Sequence, residues 1–312
     1  MSLRKQRKEG ITTVAKTRLM VSGISTRIRN FLSTRFGILY YPLESVNFLG
    51  KSLQVVRGTI RKHPDYDDAW LLALAYHSKV VFDIGCNIGQ TAFILLYPEM
   101  IERIVMVDAN PEALTIAAKN LILNHLSHKA IFVCAFVTEH VGEIIEFFTV
   151  GSGAAGSIYR SHAKTASAIC SFLRVPTLSV DWLCSWFNLV PDLVKIDVEG
   201  AEVKVLQGAK ELAKKQTTKF FVEMHSNPEL RMLDNAREIL HWCKNLNYTA
   251  WYLKEKVRLE DPEQIEGRGR CHLLLLPNDE KFPDYLYPIP QGCSLTDALK
   301  ILHKYHIVSN SA

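Results

Sequence analysis

The segment Val80-Val81-Phe82-Asp83-Ile84-Gly85-Cys86-Asn87-Ile88-Gly89 decides the fold of this chain. It begins as a buried strand with an acid near its end, and it continues into a glycine turn that starts a helix. Such a turn places backbone N–H groups and one carboxylate at the carboxyl edge of a parallel sheet, where nucleotide-like cofactors bind. The segment therefore predicts an α/β protein with a nucleotide-like cofactor.

This turn departs from the dinucleotide fingerprint G-x-G-x-x-G. Asn87 stands where the second glycine belongs, and Gln90 stands where the third belongs. Asparagine tolerates a left-handed backbone, so the turn can still form, but a pyrophosphate would approach it less closely. The turn therefore favours a cofactor without a pyrophosphate. A nicotinamide dehydrogenase and a purely structural turn are the alternatives.

Strands and helices alternate after residue 79, which is typical of a mostly parallel sheet with helices on both faces. The predicted strands are 79–83, 104–108, 130–135, 143–150, 193–198, 220–224, 248–253 and 271–276. The predicted helices are 90–97, one that begins after an Asn110 cap, 201–214, and one that begins at Asn227. Residues 151–171 are rich in Gly, Ala and Ser, and we predict that they form a mobile cover over a site.

Charge is distributed unevenly along the chain. Residues 1–36 hold nine Lys or Arg and one acid, so the remaining 28 basic and 31 acidic side chains make the body slightly acidic. We predict a basic arm over 1–36, a helical lead-in over 37–77, a cofactor-binding domain over 78–276 and a C-terminal extension over 277–312. The arm is expected to be a disordered tail, with a weak membrane-surface contact or a targeting role as alternatives.

The composition argues against several classes of protein. The body shows no basic patch with interleaved aromatic residues, so we expect no nucleic-acid partner. The sequence has no secretory-signal pattern and no apolar run approaching the roughly 18 residues of a membrane span. The cysteines are odd in number and form no C-x-x-C pair, which predicts reduced thiols in a cytoplasmic protein. They are Cys86, Cys134, Cys170, Cys184, Cys243, Cys271 and Cys293.

Acids recur at the ends of the predicted strands. Asp108 closes the second strand, where a carboxylate can accept hydrogen bonds from two ribose hydroxyls; a helix cap or a surface acid is the alternative. Ala135 closes the third strand, at the usual place for an adenine ring. Lys195, Asp197 and Glu199 would share one face of a buried strand, where an acid needs either a cation beside it or a ligand. These positions predict a ligand site at one edge of the sheet.

The strand over 220–224 leads into a second polar pair. Glu223 and His225 alternate onto one face, and a histidine can act as a general base near neutral pH. A histidine that is simply hydrogen-bonded at a strand end is the alternative interpretation. The pair adds two polar candidates to the same edge of the sheet.

Together these segments resemble the FkbM-type methyltransferase family, within the class I S-adenosylmethionine (SAM) methyltransferases. The resemblance covers roughly residues 78–276. It rests on Phe82–Gly89, on Asp108-Ala109-Asn110-Pro111, on Leu178-Ser179-Val180-Asp181, on Lys195–Glu202 with Leu206 and Gly208-Ala209, and on Val222–His225. It implies a Rossmann-like, mostly parallel seven-stranded sheet with helices on both faces, SAM as cofactor, and O-methyl transfer to a hydroxyl of a sugar, polyketide or related metabolite.

The resemblance also implies roles for single residues. Asp83, Gly85, Asn87 and Gly89 border the methionine part of SAM, Asp108 holds the ribose, and Ala135 lies near the adenine. The family often has Glu where Asp108 stands, which shifts the reach of that carboxylate.

The reaction requires an acceptor oxygen aligned behind the methyl group and a group that removes its proton. Asp197, Glu199, Glu223 and His225 are the candidates, and we favour Asp197 and His225 as base or orienting group. A sulfonium needs no metal in principle, so we expect none, with a divalent ion held by the carboxylates as the alternative. A catalytically inactive module that docks through the basic arm is a further alternative, and the oligomeric state is open.

Overall fold

The computed structural model describes residues 41–61, 63, 65–150, 156–161, 163–227 and 229–309. The chain divides into two compact units, Met1–Leu43 and Glu44–Ala312. All of the elements below belong to the second unit, apart from the first residue of the first strand. The predicted basic arm over 1–36 lies outside the described residues.

The described elements alternate largely as the sequence predicts. The strands are β1 (Leu43–Phe48), β2 (Lys51–Val56), β3 (Val80–Ile84), β4 (Arg103–Asp108), β5 (Ala130–Cys134), β6 (Phe136–Val137), β7 (Ile144–Phe148), β8 (Phe172–Leu178), β9 (Leu193–Ile196), β10 (Lys219–His225), β11 (Tyr248–Tyr252), β12 (Val257–Arg258) and β13 (Arg270–Pro277). The helices are α1 (Asp68–Ala75), α2 (Gln90–Leu95), α3 (Pro111–Leu123), α4 (Lys164–Ala168), α5 (Val180–Phe187), α6 (Glu202–Gln207), α7 (Lys210–Ala213), α8 (Met232–Leu246) and α9 (Leu295–Ser309). Short 3₁₀ helices cover Ser127–Lys129, Pro262–Ile265 and Asp284–Leu286.

Eight strands form the main sheet, in the order β12-β11-β13-β10-β9-β3-β4-β5. Strands β3, β4, β5, β9 and β10 pair in parallel, and β13 is antiparallel to β10 and β11. This confirms the predicted Rossmann-like α/β class. The count exceeds the expected seven by β12, a two-residue strand at the edge. The strand order reverses between β3 and β9, and ligands of open α/β sheets bind at such a switch point.

Helices cover both faces of the sheet, because apolar side chains point alternately to either side of each strand. Phe82 and Ile84 pack in one core with side chains of α5 to α8, and Val81 packs in a second core with side chains of α1 to α3 and α9. Both faces of the parallel strands are therefore apolar and dry except where charged side chains interrupt them.

Helix α1 is buried along its whole length. It packs between α2 and α9, and Trp70 Nε1 donates a hydrogen bond to the Ile289 carbonyl at 3.0 Å. The segment predicted as a C-terminal extension thus packs over α1, which precedes the predicted cofactor-binding domain. The helical lead-in predicted over 37–77 is wrong for its described first half, which forms the β1–β2 hairpin.

Two helix predictions need correction. Asn227 starts no helix: its Oδ1 accepts the Glu229 N–H at 2.8 Å in a turn, and α8 begins at Met232. The helix predicted over 201–214 is broken at Gly208 into α6 and α7. Position 208 must be glycine, because a Cβ there would lie 2.3 Å from the Thr138 carbonyl oxygen. Asn110 does cap α3 as predicted, accepting N–H bonds from Glu112 and Ala113.

Candidate functional site

The ends of β3 and β9 meet closely at the switch point. The Asp197 N–H donates to the Ile84 carbonyl at 3.0 Å, and Gly85 follows with a φ of 82°. A Cβ on Gly85 would lie 1.7 Å from the Asp197 carbonyl oxygen, so only glycine fits there. This contact fixes Asp197 beside the glycine turn.

A buried ion pair lies beneath this contact. Lys195 is opposite Asp83 in the parallel register. Its Nζ lies 3.2 Å from Asp83 Oδ1 and 3.3 Å from Asp197 Oδ2, and it donates to the Gly85 carbonyl at 2.9 Å. The side chains of Lys195 and Asp83 are 3% and 0% exposed. Burial opposes the charge on Lys195, but the two carboxylates outweigh it and raise its pKa.

A first cavity of about 580 Å³, open to solvent, lies between the ends of β3, β4 and β5. Asp108 lines this cavity. Its Oδ2 accepts a hydrogen bond from the Asn87 N–H and its Oδ1 accepts one from the Asn110 N–H, each at 2.8 Å. These bonds hold the carboxylate rigid and leave further lone pairs on both oxygens.

The predicted cofactor residues divide into two groups. Gly85, Asn87, Asp108 and Ala135 line the first cavity. Asp83 and Gly89 do not: Asp83 is the charge partner of Lys195, and a Cβ on Gly89 would lie 2.9 Å from the Ala117 Cβ, so Gly89 lets α2 approach α3. The Ala135 N–H donates to the Asp108 carbonyl at 3.2 Å and is therefore already paired.

A second, larger cavity of about 1060 Å³ opens on the other side of the turn. Gly85, Asn87, Asp197 and Glu199 line both cavities. The charged side chains that line the second cavity are six acids, Asp65, Asp67, Asp68, Asp197, Glu199 and Glu223, and three bases, Arg61, Lys195 and Arg270. The second cavity is therefore predominantly acidic.

Asp197 is the carboxylate at the junction of the two cavities. Its side chain keeps 28% exposure. Burial raises its pKa to about 7 against the opposing ammonium of Lys195, and the negative charge of Glu223 adds to the rise. A group that titrates near neutral pH is suited to accept a proton from a reacting hydroxyl.

His225 lies among three carboxylates. Its Nδ1 is 2.9 Å from Glu202 Oε1, and its Nε2 is 3.5 Å from Glu223 Oε1 and 3.7 Å from Glu199 Oε2. Burial alone would lower the pKa of His225, but its contacts with Glu202 and Glu223 raise it to about 11. Burial likewise opposes ionisation of Glu223, but His225 and His272 hold the pKa of Glu223 below its ordinary value.

An imidazolium has no free lone pair, so His225 cannot act as a base at neutral pH in this arrangement. This argues against the base role predicted for His225 and favours an orienting one. The sequence could not show this, because Glu202 lies on a different element.

The sequence model of the FkbM methyltransferase domain matches residues 83–250, from the acid of β3 to β11. The chain belongs to the FkbM methyltransferase family. The cofactor is therefore SAM, as the sequence predicts, and the alternative of a nicotinamide dehydrogenase is not supported. The comparison with curated proteins gives no match.

Several solved methyltransferases are similar to this FkbM-family chain at low identity. The methyltransferase FkbM from Methylobacillus flagellatus is 14% identical, with a TM-score of 0.39, over 64% of this chain and 43% of that one. The aTrm5 protein in complex with tRNALeu is 14% identical, with a TM-score of 0.40, over 75% of this chain and 51% of that one. Methanocaldococcus jannaschii TYW2 in complex with AdoMet is 12% identical, with a TM-score of 0.39, over 76% of this chain and 87% of that one. This chain thus spans about half the length of the first two.

The segment predicted as a cover lies against this FkbM-family site. Ser157 Oγ donates to the Glu199 carbonyl at 2.9 Å, and Gly156 lines the first cavity. Tyr159 packs against Gly200, where a Cβ would be 3.2 Å from its ring. Residues 151–155 and His162 lie outside the described residues, so the mobility of the cover stays a prediction.

Three site residues carry no signal in the sequence. Arg270 Nη1 lies 2.8 Å from Glu223 Oε1, and Nη2 donates a hydrogen bond to Asp65 Oδ1 at 3.1 Å. Asp67 and His272 lie beside the same glutamate. The register of β10 against β13 brings Arg270 and His272 to the site, and alternation alone does not predict register.

Proposed function

We propose that this chain is a SAM-dependent O-methyltransferase whose acceptor is a hydroxyl group of a small molecule or glycan, such as a sugar or polyketide. One observation carries the proposal: Asp197, whose pKa is raised to about 7, lies where the cavity lined by the predicted cofactor residues meets an acid-lined cavity. A methyl donor in the first cavity and a hydroxyl in the second would meet at this carboxylate.

The first cavity fits SAM by its shape and by its donor and acceptor groups. Gly85 lacks the Cβ that would narrow the turn, and Asp108 offers the remaining lone pairs of a fixed carboxylate to two ribose hydroxyls. Ala109 and Ala135 supply a small apolar wall for the adenine. When bound, SAM supplies a methyl group already activated by its sulfonium.

The residues around Asp197 would orient the acceptor and take its proton. Asp197 accepts the proton of the hydroxyl, and Lys195 holds the carboxylate in place at 3.3 Å. His225, as an imidazolium, fixes Glu199 and Glu223 at the wall of the acceptor cavity. The role of His225 is thus to position these carboxylates.

The charge of the second cavity supports a polyhydroxylated acceptor. Carboxylates accept hydrogen bonds from hydroxyl groups, whereas six of them would repel the phosphates of a nucleic acid.

Among the described residues no helix is long and apolar enough to cross a bilayer. All seven cysteines are free thiols, which supports the cytoplasmic location that we propose. Weak membrane contact through the basic arm stays a prediction.

Replacing Asp108 with alanine should weaken SAM binding by about 100-fold or more, because two hydrogen bonds to a charged acceptor are lost. Calorimetry with SAM and S-adenosylhomocysteine measures this. Asp192→Ala is the matched control, since Asp192 Oδ2 likewise accepts two backbone N–H bonds, from Lys79 and Val80, but at the amino end of the sheet. Equal weakening by both variants would show a loss of stability instead of a lost ribose contact.

The acceptor kcat/KM should depend on the protonation of Asp197. The carboxylate accepts a proton only when ionised, and its pKa is raised from 3.8 to about 7, so kcat/KM should fall as the pH drops below about 7. Asp197→Asn should lower kcat by roughly 10²–10⁴-fold and abolish this limb, with SAM affinity little changed. A limb that persists in Asp197→Asn would assign the base to another group.

The function itself is tested by incubating full-length protein with methyl-labelled SAM and fractionated host extract. We expect label in a hydroxylated metabolite or glycan fraction. Label in RNA would exclude the proposed acceptor class. SAM binding without transfer to any fraction would favour the inactive docking module.

A further inference from the structure

His272 lies on β13 with both ring nitrogens buried and without a hydrogen bond among the described residues. The residue is 2% exposed, and its ring is held by packing against Trp70 and Phe221. A buried polar ring without a hydrogen bond is costly, and a bound water or ion is one of the explanations for it.

Two carboxylates face this ring. His272 Nε2 lies 3.7 Å from Glu223 Oε2 and 3.9 Å from Asp67 Oδ2. Glu223 is directly opposite His272 in the β10–β13 register, and Asp67 immediately precedes α1. Three separate elements therefore bring one nitrogen and two oxygen ligands to the same point, all within 4.8 Å of one another.

These separations are too long for hydrogen bonds and suit a bound ion. For comparison, His225 Nδ1 lies only 2.9 Å from Glu202 Oε1, which is the distance expected for a hydrogen-bonded ion pair. Two ligands each about 2.1 Å from a tetrahedral metal ion lie about 3.4 Å apart, and the two separations from His272 Nε2 exceed that spacing by only a few tenths of an ångström.

Asp67 gives an independent sign. It occupies the N-cap of α1, where an aspartate normally accepts the N–H of the second or third helical residue. Its side chain makes no such capping bond. The Asp67 carboxylate thus does not cap the helix and instead lies 3.9 Å from His272 Nε2.

We propose that Asp67, Glu223 and His272 form a binding site for one divalent transition-metal ion such as Zn²⁺. Nitrogen and carboxylate oxygen ligands suit this class of ion. The net acidic wall of the second cavity lies alongside and favours a cation. This site does not depend on methyl transfer. It shares Glu223 with the neighbouring group of Asp197, Glu223 and His225, but in that group Lys195 already pairs with Asp197 and Glu202 with His225.

The test is calorimetric titration of chelator-treated, full-length protein with Zn²⁺, and with Co²⁺ as a spectroscopic probe of nitrogen and oxygen coordination. We expect one equivalent of Zn²⁺ to bind and the midpoint of thermal unfolding to rise on binding. In Asp67→Asn and in His272→Gln the Zn²⁺ affinity should fall at least about 100-fold, and the rise of the midpoint should be lost. Asp67→Asn is nearly isosteric, so it remains informative even where His272→Gln fails to fold.

Two control variants separate this site from others. His241→Gln removes an exposed histidine on α8 that contacts Asn245, and it should leave Zn²⁺ binding unchanged. Asp197→Asn changes the neighbouring group without removing any of the three ligands, and it should retain the ion. The proposal is overturned by the absence of saturable binding, by full affinity in Asp67→Asn, or by loss of the ion in Asp197→Asn but not in Asp67→Asn.

Discussion

Replacing Lys195 with methionine is expected to lower the free energy of unfolding by about 3–5 kcal/mol, because it leaves a buried carboxylate without its cation. Asp83 is fully buried, and neither of its carboxylate oxygens has a hydrogen bond among the described residues. The ammonium at 3.2 Å is therefore what makes an ionised Asp83 tolerable inside the sheet. The midpoint of thermal unfolding should fall by roughly 6 °C or more.

Two comparisons isolate this effect. Lys219→Met removes a lysine paired with Glu280 at 3.0 Å, but both side chains are partly exposed, so the cost should stay below about 1 kcal/mol. Adding Asp83→Asn to Lys195→Met should recover much of the lost stability, because no charge is then stranded. If Lys195→Met costs no more than Lys219→Met, the buried pair does not stabilise the fold as described.

Replacing Gly85 with alanine is expected to abolish measurable SAM binding and to lower the free energy of unfolding by about 2–5 kcal/mol. Two costs add: the left-handed backbone, at about 1–2 kcal/mol, and the overpacking of a closed contact, at about 1–3 kcal/mol. The new Cβ would lie 1.7 Å from the Asp197 carbonyl oxygen, so the ends of β3 and β9 must separate. Calorimetry with SAM and thermal unfolding measure the two effects.

Gly58→Ala is the matched control for the backbone term. Gly58 has a φ of 86°, close to the 82° of Gly85, but a Cβ there meets nothing within 4 Å. It should cost only the strain of the left-handed conformation. A Gly85→Ala protein that matches Gly58→Ala in stability and keeps SAM affinity would contradict the close contact at the switch point.

The parallel strands could be predicted because their signal is local. A short apolar run that ends in an acid and a glycine turn reports β3, β4 and their neighbours without reference to the rest of the chain. The start of α8 was predicted wrongly at Asn227 because the same Asn-Pro-Glu pattern can cap a helix or close a turn. The close approach of Thr138 to Gly208 involves a distant segment, which no local pattern reveals.

The candidate site was predicted in part for the same reason. Gly85, Asn87 and Asp108 follow strand ends and could be named from the sequence. The protonation of His225 could not, because it depends on Glu199 and Glu202, which come from a different segment, as well as on Glu223 of its own strand. A pKa is a property of the assembled neighbourhood, so the sequence can nominate a titrating residue without assigning its charge.

The position of β13 shows that the sheet extends beyond the segment that matches the family model. The family match stops at residue 250, yet β13 lies between β10 and β11 in the middle of the sheet, and it carries Arg270 and His272. Beyond it, Ile289 and α9 complete the cover over α1. A polypeptide cut at the family boundary would therefore lose an interior strand. The segment that matches the family model is therefore shorter than the segment that forms the sheet.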